Sequence, residues 1–372
     1  MNNKFNALTL ALLSVISSSA FANTELYKSD AGLLELIGRA YAGHIFGDEA
    51  KSEFYGSNSF LRIGLNGESA INKHTKAIGY YELQQFVFEN ESAIAENANS
   101  LRVRYAYAGV KHDQAGAVTY GRQNGAAALI SDWTDVALTN PYGGNAIGTN
   151  TDKFGTDRSS DVLKYSGTWG GFQLDTSYKF RNKKDGQTTT TSTVSGSSVT
   201  SSTTYSNKDN DNSAYGITAV YNFPINLSVG TSYTIGKQGS YDDAKLWVTG
   251  VKFDDKATYA AFNYGDGKDW YAPGYDHKGY ETALGYNFKS GFGVLALWNL
   301  QKTTQSSTGK ETDTVNYYTL GGLYKFNKNL RFVAEYRFNN KKADAFNAQV
   351  DSTTGLKVDA ADDFAVALRY DF

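Results

Sequence analysis

The last ten residues alternate without a break. Phe364, Val366, Leu368, Tyr370 and Phe372 are apolar, while Asp363, Ala365, Ala367, Arg369 and Asp371 between them are small or charged. Period-two alternation gives a strand with one oily face and one wet face. Ten residues is also about the length, ~9–11, that a tilted strand needs to cross a bilayer. A strand that stops on Phe372 has no tail to cover its edge, so it is expected to pair with another part of the same chain. Such pairing closes the sheet, and closure is how a β-protein satisfies its backbone in lipid.

Residues 1–22, MNNKFNALTLALLSVISSSAFA, carry a positive Lys4, an apolar stretch through Ile16 and a small-x-small ending at Ala20-Phe21-Ala22. This is the pattern of a cleaved secretory signal peptide, which leaves a single mature domain over 23–372. Removing Lys4 would leave 35 of the 36 basic residues against 38 acidic ones, a net −3, which is no nucleic-acid-binding balance. After Ala22 no stretch approaches the ~18 apolar residues of a membrane helix. The most apolar run, 294–298, is five residues long, yet 27 Tyr, 21 Phe and 37 Gly accompany only three Pro. Strands that are apolar on one face keep mean hydropathy low while offering lipid a greasy exterior. Zero Cys in an exported chain leaves no disulfide staple, thiol nucleophile or thiolate metal site. The four His, at 44, 74, 112 and 277, show no metal-ligand spacing. Asp209-x-Asp211-x-Ser213 lacks the Gly and final Glu of a calcium loop. No catalytic, cofactor-binding or metal residue is therefore assigned.

The alternation recurs along the mature chain. Residues 330–338 place Leu330, Phe332, Ala334, Tyr336 and Phe338 on one face and Arg331, Glu335 and Arg337 on the other. Residues 100–108 are expected to set Leu101, Val103, Tyr105 and Tyr107 against Arg102, Arg104 and Ala106. A charge facing lipid near the midplane costs roughly 2–4 kcal/mol, so the charged faces must look into water, which in a barrel is the lumen. Short turns are expected near 67–73, 113–116, 167–171, 224–226, 254–255, 289–291 and 327–329. Long polar connections are expected near 45–58, 89–99, 124–157, 183–211, 238–243, 265–277, 303–313 and 340–361. Fifteen connections make an all-β, sixteen-stranded antiparallel barrel with both termini on the short-turn side. The terminal strand should then pair with the first, near 34–42, with Arg369 in the lumen and Phe372 at the membrane interface.

Aromatic dyads mark the same boundary. Tyr221-x-Phe223, Tyr286-x-Phe288, Tyr324-x-Phe326 and Tyr370-x-Phe372 each precede a short turn or the last residue. Amphipathic rings favour the headgroup level, so these read as a periplasmic girdle, and Tyr336-x-Phe338 as part of the outer one. The uncharged Ser/Thr tract at 187–206 buries too little to order itself and is read as a mobile surface loop.

The connection at 124–157 differs from the others. It holds apolar residues at 126–130, Trp133 and 136–138, followed by Asn140-Pro141-Tyr142-Gly143-Gly144. Apolar residues in a loop need something to pack on, and an inward fold against the barrel wall supplies it. A sixteen-stranded barrel is wide enough for an aqueous channel, so an inward loop would be its constriction, with Asp135 projecting from it.

The residues here resemble a known family, the trimeric, sixteen-stranded general diffusion porins of gammaproteobacteria. The resemblance covers essentially all of 23–372. It rests on Leu61-Arg62-Ile63-Gly64-Leu65-Asn66-Gly67-Glu68, on Arg104-Tyr105-Ala106-Tyr107-Ala108-Gly109-Val110-Lys111, on Tyr120-Gly121-Arg122-Gln123-Asn124-Gly125, on 317–329, and on Leu368-Arg369-Tyr370-Asp371-Phe372. It implies an outer-membrane channel for passive diffusion of small hydrophilic solutes, with an eyelet where basic wall residues face acids on the third loop. By motif position the basic ladder is Arg39, Arg62, Arg104 and Arg158, the loop acid is Asp135, and Glu82 lies on the wall nearby. Alternation alone puts Arg39, Arg62, Glu82 and Arg104 on the polar face, with Arg102 as a possible extension. The chain departs from the family where a second loop acid usually follows: Leu138, Thr139, Asn140 and Pro141 stand there. One acid fewer implies weak cation selectivity or near neutrality.

The resemblance also implies a homotrimer, lipopolysaccharide and outer-membrane lipid around it, and a barrel-assembly machinery that reads the terminal Phe372. The acidic second loop, with Glu89, Glu91 and Glu96, is a candidate latch between neighbours, with a plain solvated loop as the other reading. Two further classes stand beside the channel. One is an outer-membrane hydrolase, for which His44 and His277 near outer loops are the candidates. The other is an adhesive or anchoring barrel. Sugar-specific porins carry eighteen strands and an aromatic ladder along the pore, which this chain lacks.

Overall fold

A computed structural model describes residues 24–48, 55–87, 101–139, 143–144, 146–181, 188–195, 198–205, 212–341, 350 and 361–372, with backbone alone for 188–195 and 198–205. Residues 1–22 and the acids Glu89, Glu91 and Glu96 lie outside the described residues. Sixteen strands form one closed antiparallel barrel. They are β1 (Gly32–Gly47), β2 (Phe60–Asn72), β3 (Thr75–Phe86), β4 (Leu101–His112), β5 (Gly116–Asn124), β6 (Arg158–Trp169), β7 (Phe172–Lys179) and β8 (Ala214–Asn222). The second half holds β9 (Leu227–Gln238), β10 (Tyr241–Asp254), β11 (Thr258–Lys268), β12 (Tyr275–Asn287), β13 (Phe292–Gln305), β14 (Lys310–Lys325), β15 (Leu330–Asn339) and β16 (Asp363–Asp371). Each strand pairs with its neighbours in sequence. Short pieces Thr24–Ser29 and Gly56–Ser57 add to the rim along β1.

Burial is inverted relative to a water-soluble sandwich. Leu61, Ile63 and Leu65 are exposed on the outside, while the Arg62 side chain between them is only 11% accessible. On β15, Phe332, Tyr336 and Phe338 face out, and Arg331, Val333, Glu335 and Arg337 are buried inward. The four turn-side dyads pack ring to ring, with centroids 4.8 Å apart in Tyr221–Phe223 and Tyr286–Phe288. Tyr336–Phe338 pairs in the same way on β15.

Three sequence expectations change. Three of the eight outer connections are short, at 239–240, 269–274 and 306–309, because their flanking strands run on. Polar side chains do not end a strand in water; the backbone ladder continues above the membrane level. The Ser/Thr tract is a hairpin, Thr188–Ser195 against Ser198–Tyr205, rather than an unordered loop. The ladder needs no buried side chains, and β-branched Thr and Val fit it. The alternation of 100–108 also breaks. A bulge slips the β3–β4 register between Glu82 and Leu83, so Leu83 faces Val103 but Glu82 faces Tyr105. The extra residue, Arg104, shifts the phase by one. Leu101 and Val103 stay outside, but Tyr105 and Tyr107 join the inward face, where the Tyr80 ring meets Tyr105 edge-on and stacks on Tyr107 and its hydroxyl donates to Glu82.

The seam closes as the terminal alternation implies. β16 pairs antiparallel with β1 from Arg39↔Asp371 to Gly47↔Asp363. Gly38 N–H donates to the Phe372 carbonyl at 2.6 Å, and Phe372 N–H returns to the Gly38 carbonyl at 3.0 Å. The Phe372 ring lies directly over Gly38, where any Cβ would overlap it at 2.2 Å. Deleting Phe372 therefore removes the last two seam bonds and the ring that covers Gly38. Refolding yield, read as the fraction of heat-resistant compact barrel on gels, should fall severalfold, while single-channel conductance of the barrels that do form should be unchanged.

Candidate functional site

The connection 125–157 folds into the barrel and is held there by the inner wall. It opens with one helical turn, α1 (Ala128–Ser131), which the sequence pattern did not reveal. Ile130, Val136 and Ile147 are at most 1% exposed, packed with Trp133 and Leu138 on residues of the wall. Burial of each such aliphatic side chain stabilises the inward fold by about 1.5–3 kcal/mol.

Polar anchors fix its position. Glu281 on β12 accepts the N–H groups of Ala146 at 2.7 Å and Ile147 at 3.2 Å, and the Thr134 hydroxyl. Glu335 on β15 accepts the Thr139 N–H at 2.9 Å and hydroxyl at 2.6 Å. Asn263 donates to the Ile130 carbonyl at 2.9 Å, and the Tyr259 hydroxyl to the Trp133 carbonyl at 2.6 Å. These partners satisfy loop backbone that would otherwise be buried unpaired. The wall also makes room. Gly265 and Gly279 face each other across β11 and β12. A Cβ at Gly279 would meet the Ala146 carbonyl at 1.9 Å, and one at Gly265 the Ile147 carbonyl at 2.3 Å.

The loop and wall enclose a cavity of about 240 Å³. It brings together Arg39, Arg62, Arg104 and Arg158 with Asp135, as the sequence reading placed them. Glu82 does not line it; it sits behind, 2.5 Å from Arg104 Nε and 3.6 Å from Arg62 Nε. Arg102 lies outside the cluster, over the Phe86 ring. Two further arginines line the cavity, Arg331 on β15 and Arg369 on β16. Their inward parity was visible in the sequence, but their approach to Arg39 depends on the seam. Asp371, fully buried, accepts Arg39 Nε at 2.8 Å, Arg369 Nε at 2.9 Å and Arg331 Nη2 at 3.2 Å. Like-charged neighbours lie in direct cross-strand register, Arg39↔Arg62 and Arg331↔Arg369. Such pairs are destabilising, by on the order of 1–4 kcal/mol at contact distance.

A second cavity of about 260 Å³ adjoins the first and shares Asp135 and Arg158. It adds Asp132 and Asp157 of the loop and Glu281 of β12, so this cavity is acidic where the first is basic. Desolvation by the surrounding loop and wall, with Asp157 and Asp135 adjacent, pushes the Asp132 carboxyl up to about 7, although its side chain stays open to the lumen. Asp135, likewise open to the cavity, is also raised by desolvation and Asp157, against the pull of Arg158 and the Gly144 N–H. Sequence reasoning singled out neither Asp132 nor Asp157. The stretch 138–139, where a second acid was absent, turns to the wall instead, with Leu138 and Thr139 buried. His277 is buried beside Tyr271 beneath Gly148, and His44 packs on Phe46 and Tyr55. Guanidiniums lining the first cavity thus adjoin carboxylates lining the second.

A family model described as Gram-negative porin matches residues 29–372. The chain belongs to the Gram-negative porins. It is 26% identical to the outer membrane porin protein OmpD of Citrobacter koseri, over 99% of this chain and 100% of that protein. It is 27% identical to the outer membrane porin PhoE of Escherichia coli K12, again over 99% and 100%. Among solved structures it resembles the Salmonella typhi OmpF complex with daunomycin, with a TM-score of 0.77 at 23% identity, covering 94% of this chain and 100% of that one. This porin is a multi-pass outer-membrane β-barrel, a water-filled channel through which small hydrophilic solutes and ions diffuse passively. Its relatives are channels rather than enzymes.

Gly279→Val should push the 146–147 segment off the wall, because the Ala146 carbonyl occupies the space a side chain needs. The barrel should still assemble, and planar-bilayer recordings should show larger and noisier single-channel steps than the wild type.

Proposed function

We propose that the six-arginine cavity is the selectivity eyelet of this porin. Arg39, Arg62, Arg104, Arg158, Arg331 and Arg369 form its positive side, Asp135 its negative lip, and Glu82 the carboxylate that braces Arg62 and Arg104. The observation that carries the reading is convergence. Residues from β1, β2, β4, β6, β15 and β16 reach one cavity shared with the inward loop. Costly like-charge neighbours persist there, and rings of charge at a constriction bias ions by sign. Neutral apolar molecules would have to disrupt water ordered between the two sides, whereas dipolar solutes align with the field.

Six guanidiniums stand against the carboxylates Glu82, Asp371, Asp132, Asp135 and Asp157. That near balance supports a channel close to neutral selectivity. We further infer cleavage after Ala22, a homotrimeric assembly in a lipopolysaccharide-bearing outer leaflet, and insertion by the barrel-assembly machinery. The leader pattern of 1–22 supports the first and the family membership the others.

Two measurements test the eyelet. Arg104→Ala or Arg62→Ala should shift the reversal potential in a salt gradient toward cations and speed liposome swelling in bulky sugars; no change in either would remove these side chains from the constriction. The second is pH. Asp132, raised to about 7, is charged above that value and neutral below it. Lowering the pH from about 8 to about 6 therefore removes negative charge from the loop, and the cation-to-anion permeability ratio should fall. A ratio that rises on acidification would contradict the assignment.

A further inference from the structure

The arginines on β15 and β16 are not arranged as those on β2 and β4. Arg62 and Arg104 share Glu82, and Arg62 also has Gln84, whose Oε1 accepts its Nε at 3.1 Å and Nη2 at 2.7 Å. Arg331 and Arg369 both rest on one carboxylate, Asp371, which Arg39 also holds. They stand in direct register with each other, and Lys325 on β14 faces Arg331 from the other side. A basic row thus runs Lys325, Arg331, Arg369 across three strands. Arg369 Nη2 is buried with no hydrogen-bond partner among the described residues. Both arginines line the cavity, with side chains 10% and 12% exposed.

This is a cationic pocket on the edge of the cavity, where three guanidiniums share one carboxylate. We propose that Arg331 and Arg369 form an anion subsite of the eyelet that takes a dianionic phosphate group, free or carried on a small metabolite. Two forked guanidiniums match the oxygens of a tetrahedral dianion through charge-assisted bonds, where a monovalent halide meets only one at a time. Asp371 positions both guanidiniums and caps their charge. The inference rests on the eyelet reading above and adds a ligand class and two residues to it.

The test uses the full-length purified porin in planar bilayers, with chloride current measured while inorganic phosphate, glucose 6-phosphate or sulfate is added at about pH 8. Wild-type current should fall in a saturable, concentration-dependent way with phosphate. The Arg331→Gln/Arg369→Gln pair should need ~10-fold more phosphate for the same effect. Asp371→Asn should need less, because it removes the carboxylate that, among the described residues, both arginines share; a merely structural role for the cluster would not produce opposite shifts. Equal action of glucose 6-phosphate and phosphate would assign the site to the phosphoryl group in general, and action of phosphate alone to the free ion. Equal action of sulfate would widen the class to any dianionic oxyanion and overturn the phosphate assignment. Unchanged phosphate sensitivity in the arginine pair, with Arg62→Ala still altering conductance, would overturn this inference and leave the eyelet intact. Unchanged behaviour in all of these variants would take the cavity off the conduction path and sink both.

Discussion

In hydrocarbon an unpaired backbone N–H or C=O costs several kcal/mol, and that constraint organises everything else in this chain. A sheet can meet it only by closing. The pairing of β16 with β1 is therefore the contact on which the other fifteen depend. It is also where the charge network begins, since Asp371 at the seam collects Arg39, Arg331 and Arg369. Closure and pore chemistry share the same residues. The strand that satisfies the last backbone edge carries, on its inward parity, two of the charged groups that shape the lumen.

The second constraint is that the barrel is too wide to fill itself. The 125–157 connection solves this by behaving as a small core inside the lumen. Ile130, Trp133, Val136 and Ile147 supply the apolar contact, and the wall supplies acceptors and space. Glu281 and Glu335 are spent on loop N–H and hydroxyl groups rather than on ion pairs with the basic wall. The same contacts hold the loop against the wall, and Asp135 lines the cavity with its Oδ1 accepting the Gly144 N–H at 3.2 Å.

Much of this was legible in the chain because strand parity is a local property. Arg39, Arg62, Arg104, Arg331 and Arg369 all read as inward from their own neighbours. Where parity failed, the reason is specific. A bulge at Arg104 turns Tyr105 and Tyr107 from the lipid side to the lumen, and Ala106, Ala108 and Val110 look no less plausible outside than the tyrosines do. The strand ends at 239–240 and 306–309 were misplaced because polarity marks the water line, not the end of hydrogen bonding. The loop acids Asp132 and Asp157 were passed over because a loop has no period from which to infer a direction. The role of the glycines at 265 and 279 shows only with the loop lying against them.

The sequence by itself determined the class of object: an exported chain with sixteen amphipathic strands, an apolar loop that had to go somewhere, and an excess of arginine on inward faces. Those features depend on spacing along the chain, which the physics of a pleated strand translates directly into inside and outside. Only the tertiary structure decided which arginines meet. Arg39 and Arg369 are 330 residues apart in sequence and become neighbours because the sheet closes on itself. Whether the cavity is balanced or basic at a given edge follows from that closure and from how each carboxylate is shared. These are long-range electrostatic facts that no local pattern records.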